Sequence, residues 1–129
     1  MGKNKVRVLY KEINKKPVVM EIDNTLEAKQ KLVGGLIEVV SYQKDMLLVC
    51  NEEGKIRNMP VNCIFPADYI TGNFFVIGDD PKNGDFKSLT LEQIKRAKED
   101  LTKRMVYTFN KDMIKEFNKE QSEELDFEL

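Results

Sequence analysis

The chain has 129 residues, 41% of them hydrophobic and 33% charged, with a formal net charge of −1. That length supports one domain. The balanced charge leaves no global field to draw in nucleic acid or an anionic membrane. No run approaches the roughly 18 apolar residues a membrane span needs, and recurring apolar segments argue against disorder.

Charge is uneven along the chain. Residues 1–16 carry six basic side chains against Glu12, and residues 116–129 carry six acids against Lys119. This reads as a solvated basic edge and an acidic tail, or as opposite ends that attract within or between subunits.

In chain order, Val6 to Tyr10 alternates apolar and charged residues, the pattern of a half-buried strand. Asn14-Lys15-Lys16-Pro17 is a turn and Val18 to Ile22 a returning strand. Asn24 is the expected N-cap of a short helix, with Glu27 completing a capping box. Leu26, Ala28, Leu32 and Val33 form its inner side, and Gly34-Gly35 ends it. Leu36 to Tyr42 and Met46 to Cys50 follow as strands. Residues 51–55 read as a hairpin turn with Gly54 at a positive φ. Ile56 to Asn58 begins a short strand, and Pro60 and Pro66 make residues 59–69 an irregular loop. Ile70 to Ile77 is a strand with Gly72 at a bulge, and Gly78 to Asp85 is a polar loop.

Thr90 caps the last element, with Gln93 in the capping-box position. Ile94, Ala97, Leu101, Met105, Phe109, Met113 and Phe117 recur every three or four residues as one apolar stripe. No proline or glycine interrupts residues 91–121, so one long helix is expected, with a break near Tyr107-Thr108 as the alternative. A helix of about 30 residues spans roughly 45 Å and outruns a domain of this size. Met105, Phe109, Met113 and Phe117 are therefore assigned to a homo-oligomer interface.

The expected fold is α+β: a mainly antiparallel sheet of about five to six strands, one short helix after the first hairpin and a long C-terminal helix. Residues 1–90 form the sheet unit. Residues 91–129 form a helix and acidic tail, packed on or projecting from the same domain.

Reactive chemistry is sparse. The histidine count is zero, which removes the commonest general base and the Ser-His and Cys-His nucleophile pairs. Cys50 and Cys63 match no metal or redox spacing and read as small buried hydrophobes. Asp79-Asp80 with Asp85 is the one tempting acidic cluster, but Pro81 and Asn83-Gly84 make it ordinary turn chemistry. No phosphate loop is present, and no cofactor or metal is expected. On the last helix, Glu99 with Lys103 and Asp100 with Arg104 read as a salt-bridged solvated face. The candidate binding residues are Arg57, Asn58, Asn62, Tyr69, Thr71 and Asn73, polar groups beside an irregular loop without evident local roles. An arginine with amides and an aromatic suits a phosphate and a base, or a protein edge.

Four ordered blocks carry a resemblance. They are Val19-Met20-Glu21-Ile22-Asp23-Asn24-Thr25-Leu26-Glu27-Ala28, then Val33-Gly34-Gly35-Leu36-Ile37-Glu38-Val39, then Asn51-Glu52-Glu53-Gly54-Lys55, then Ala67-Asp68-Tyr69-Ile70-Thr71-Gly72-Asn73-Phe74-Phe75-Val76-Ile77-Gly78, with Ser88-Leu89-Thr90 following. In this order they resemble domain-of-unknown-function family 3846 over about residues 5–100. The family pattern places Asn-Arg after the middle-loop proline, where this chain has Asn62-Cys63.

The resemblance implies no particular activity. It does imply a setting in phages, plasmids and conjugative elements of Gram-positive bacteria, where small proteins counter host immunity by binding. The resulting expectation is a non-catalytic cytoplasmic binding protein, oligomeric. It sequesters a nucleotide-type immune signal or blocks a host immune protein such as a CRISPR nuclease. The alternative is a nucleic-acid-associated accessory protein using the basic N-terminal strand and last helix, and no membrane partner is expected.

Overall fold

The structure, a computed structural model, describes residues 4–107. They form eight strands and two helices: β1 (Lys5–Lys11), β2 (Val18–Asp23), α1 (Leu26–Val33), β3 (Ile37–Ser41), β4 (Met46–Asn51), β5 (Val61–Ile64), β6 (Tyr69–Thr71), β7 (Phe74–Asp80), β8 (Asp85–Lys87) and α2 (Leu91–Arg104). The main sheet is antiparallel in the order β2-β1-β7-β4-β3, with β8 added to β7. A second, two-stranded sheet pairs β5 with β6. The fold is α+β, as the sequence leads one to expect.

Strand alternation divides the core in two, because successive side chains point to opposite faces. On one face Val6, Val8, Val49, Phe75 and Ile77 cluster with Ile22 and with Val33 of α1. On the other, Leu9, Leu48, Phe74 and Val76 cluster with Cys63 and Ile70 of the small sheet and with Ile94, Ala97 and Leu101 of α2. β7 sits centrally, and its residues Phe74 to Ile77 have no exposed surface. A strand buried on both faces reads as an unbroken apolar run rather than an alternation.

Several local expectations need correction. The N-cap of α1 is Thr25, whose hydroxyl accepts from the Ala28 N–H. Asn24 instead accepts from Lys29 Nζ at 2.6 Å. Lys29 and Val33 are the buried residues of α1, while Leu26 is 58% exposed. Helical spacing identifies a face but not which turn of it reaches the sheet. Lys29 sits there by placing its amine 4.6 Å from the centre of the Phe86 ring and on Asn24.

Residues 52–58 are a series of turns, not a hairpin, and the strand expected at Ile56 to Asn58 is absent. The positive φ falls on Asn58 (55°) rather than on Gly54. Within the expected loop 59–69, Val61–Ile64 is a strand. The single strand expected over 70–77 is two strands, broken at Gly72 with φ 76°. Gly78 to Asp85 is the tip of the β7–β8 hairpin, where Asp80 pairs with Asp85. There Asn83 Nδ2 donates to the Asp80 carboxylate at 2.7 Å, holding its pKa below the usual range.

The capping box of α2 is present, with Thr90 and Gln93 bonded reciprocally. Ile94, Ala97 and Leu101 are buried, as the stripe predicts. The helix ends at Arg104, earlier than the expected residue 121. Met105 takes an extended backbone (φ −68°, ψ 145°), bridges Cys63 of β5 and packs on the core. Val106 N–H then donates to the Asn62 carbonyl at 3.0 Å. Backbone pairing to β5 thus replaces the next helical turn. Phe109, Met113 and Phe117 lie outside the described residues, as does the acidic segment 116–129. Among the described residues, no helix is long and apolar enough to cross a membrane.

Candidate functional site

The free end of the main sheet, the small sheet and the last turn of α2 enclose a cavity of about 620 Å³. Its floor is Leu48 and Cys50 of β4, flanked by Glu38 and Val40 of β3. These pair as Glu38↔Cys50 and Val40↔Leu48, so the pleat directs all four to one face. The opposite wall is the β5–β6 turn, Phe65 to Tyr69, and Asp100 and Arg104 close one end.

Two polar clusters frame the opening. At the α2 end, the Tyr42 hydroxyl donates to Asp100 Oδ2 at 2.5 Å. Arg104 Nε donates to both oxygens of Asp100, at 2.9 and 3.0 Å. The Arg104 guanidinium lies 5.2 Å from the centre of the Phe65 ring, and Tyr42 meets that ring edge-on at 6.1 Å. Burial and the Asp100 carboxylate push the Tyr42 phenol far above its ordinary pKa. It is a fixed donor, not a base. At the other end, Lys55 pairs with Asp68 at 2.5 Å and sits 4.4 Å from the centre of the Tyr69 ring. That bond raises the Lys55 pKa and lowers the Asp68 pKa. Burial pushes the Cys50 thiol up to about 11, and the nearby Glu38 adds to the shift. The thiol stays protonated and unreactive at neutral pH.

The titratable groups around the cavity are therefore mostly spent on each other. Glu38 and Glu52 are the exceptions: among the described residues neither side chain has an ion pair. Four carboxylates line the space against two cations, both already paired. Among the described residues, no group of three or more possible metal ligands comes together.

The six sequence-derived candidates scatter. Tyr69 and Thr71 line the cavity. Arg57 is exposed on the 52–58 turns beside Glu53 at 3.8 Å, and Asn58 serves the left-handed backbone next to it. Asn62 is fully buried, bonded to Lys11 and to the Gly72 carbonyl. Asn73 Oδ1 accepts from the Ile13 N–H at 2.9 Å. The phosphate-and-base arrangement expected of this group is not assembled. Tyr42, Glu38, Lys55, Phe65 and Asp68 were missed, because nothing local links them. The Asp100–Arg104 spacing was visible but read as a solvated pair. Its Asp100 side chain is in fact only 18% exposed.

A family model described as a domain of unknown function, DUF3846, matches residues 6–102. The chain belongs to the DUF3846 family. No curated protein and no solved structure matches the chain. The DUF3846 match includes every strand of the cavity and the Asp100 end of α2. It stops just before Arg104 and the extended Met105.

Proposed function

We propose that this DUF3846 protein acts by binding rather than by catalysis, and that its cavity receives a segment of a partner protein. The observation that carries this reading is the charge of the cavity wall, four carboxylates against two cations already paired. A nucleotide would bring phosphates to a wall with no unpaired cation among the described residues, and like charge at close range costs affinity. A partly apolar, neutral or cationic guest meets aromatic surface from Tyr42, Phe65 and Tyr69 and the carboxylates of Glu38 and Glu52, which have no ion pair among the described residues. The protonated Cys50 thiol and the tied Asp100 suit a receptor better than an active site.

In the mobile-element setting that the family resemblance implies, the partner is a host immune protein and the effect is a steric block. Such a role uses surface complementarity and no turnover. Sequestration of a nucleotide immune signal is the competing reading.

A thermal-shift series tests this on the full chain and on Ala67→Trp, which fills the cavity mouth at an exposed position. Short arginine- and valine-containing peptides should raise the melting temperature of the wild type by several degrees, leave that of Ala67→Trp unchanged, and be recovered intact by mass spectrometry. Stabilisation by cyclic dinucleotides or ADP-ribose in place of peptides overturns the protein-segment reading. Chemical conversion of any probe overturns the non-catalytic one.

A further inference from the structure

Resting on that reading of the cavity, we propose that the partner segment binds as an added β-strand along the free edge of β3, with basic side chains at alternate positions over the cavity.

β3 ends the main sheet, and no described strand pairs with its outer side. Its ladder to β4 is bracketed by the Glu52 N–H bonded to the Leu36 carbonyl and the Tyr42 N–H bonded to the Met46 carbonyl. In an antiparallel pair such residues alternate. Leu36, Glu38, Val40 and Tyr42 therefore direct their backbone groups to β4, and Ile37, Val39 and Ser41 direct theirs outward. An unpaired row of this kind is a template for another strand unless charged side chains, a proline or a bulge blunt it; the single charge on β3 is Glu38, whose backbone groups turn to β4 and whose carboxylate a basic guest would neutralise. Ile37-Glu38-Val39-Val40-Ser41 contains no lysine or proline, and its register to β4 runs without a shift. Val39 and Val40 are 43% and 39% exposed.

The occupant follows from the pleat. Glu38 and Val40 face the cavity, so every second side chain of an added strand lies beside them and over the opening. There it meets the carboxylates of Glu38 and Glu52, which lack ion pairs among the described residues. Arginine or lysine at those positions, with small β-branched residues between, complements both charge and strand geometry. The opposite edge, β2, is also terminal, but no β2 residue lines the cavity.

The test uses the full chain, isotope-labelled, and an eight-residue capped peptide alternating arginine and valine. Two control peptides carry glutamate for arginine, or N-methyl groups on the residues that pair with β3. The arginine peptide should slow hydrogen exchange at the Ile37, Val39 and Ser41 amides at least tenfold. Glutamate substitution, N-methylation, Val39→Pro and Glu38→Arg should each weaken binding at least tenfold, while Val39→Thr retains it. The N-methylated peptide keeps the test independent of any folding defect in a variant. Binding that survives N-methylation and Val39→Pro but is lost in Ala67→Trp overturns strand addition and leaves the receptor reading intact. Protection at β2 amides in place of β3, or no protection at all, also overturns the proposal.

Discussion

Asn62 embraces the buried Lys11 from both ends of its amide. Its Oδ1 accepts from Lys11 Nζ at 2.7 Å, while its Nδ2 donates to the Lys11 carbonyl at 3.0 Å. Both residues are fully buried. The amine also donates to the Glu12 carbonyl at 2.7 Å, and among the described residues no carboxylate is one of its hydrogen-bond partners. Burial lowers its pKa, and nearby Cys63 and Glu12 oppose the shift only in part. The pair joins β1 of the main sheet to β5 of the small one, and so fixes how the two sheets sit together.

Asn62→Ala removes that joint. It leaves the buried Lys11 amine with the Glu12 carbonyl alone and takes the amide donor from the Lys11 and Gly72 carbonyls, so it should cost about 2–4 kcal/mol. Chemical denaturation would measure the loss. Arg57→Ala, on an exposed turn, should change stability by less than about 0.5 kcal/mol.

Gly54 stands where backbone and wall meet. A Cβ there would lie 2.3 Å from Thr71 Oγ1 and 3.2 Å from the Thr71 carbonyl. Gly54→Ala must therefore push β6 away from the turns and should cost roughly 1–3 kcal/mol. Thr71 lines the cavity, so the Gly54→Ala variant should also lose affinity for any cavity ligand. A double variant with Thr71→Ala should recover part of the stability, because it removes the nearer clash.

Tyr42→Phe deletes the hydroxyl that links the β3–β4 hairpin to α2. Asp100 keeps Arg104 as a partner, so the expected cost is about 1–2 kcal/mol. Burial raises Tyr10 as well as Tyr42, with the larger shift at Tyr42, so the ultraviolet titration of the wild type should show raised components of which the highest vanishes in Tyr42→Phe. Equal titration curves would contradict the short Tyr42–Asp100 bond.

The two buried thiols give an alkaline signature. Burial raises Cys50 and Cys63 from an ordinary 9.0 to about 11 in the folded chain. Their contribution to stability is complete below pH 9.0 and is lost as pH rises to about 11. The slope is at most about 1.4 kcal/mol per pH unit for each thiol. The buried amines of Lys11 and Lys29 act in the opposite sense, since burial lowers their pKa and rising pH relieves that penalty. Comparing slopes isolates the thiols: a Cys50→Ala, Cys63→Ala double variant should lose less stability between pH 9 and 11 than the wild type.

Legibility in the sequence followed the range of the interaction. The Thr90–Gln93 box and the glycine that ends α1 are encoded within a few residues, and both appear where expected. The apolar stripe through Ile94, Ala97 and Leu101 likewise reports a helix face directly. Its continuation past Arg104 was misjudged because helix propensity competes there with backbone pairing to β5, a partner about 40 residues away. Val61–Ile64 was hidden for a related reason: flanking prolines mark breaks, but its pairing with Tyr69–Thr71 depends on a turn that Pro66 itself helps to form. The cavity was least visible. Tyr42 and Asp100 are 58 residues apart, and neither has a local pattern that anticipates the other.

The cavity walls come from two sheets that share no ladder, so no row of backbone bonds sets the distance between them. That gap is set by side chains: the packing of Cys63 and Ile70 on the main sheet, the Asn62–Lys11 joint, and the Tyr42–Asp100–Arg104 latch at the cavity's end. Small rotations at those groups alter the aperture without breaking a strand. On the proposed receptor reading, guests of somewhat different girth then share one frame, and the latch residues become the place where selectivity for size is tuned.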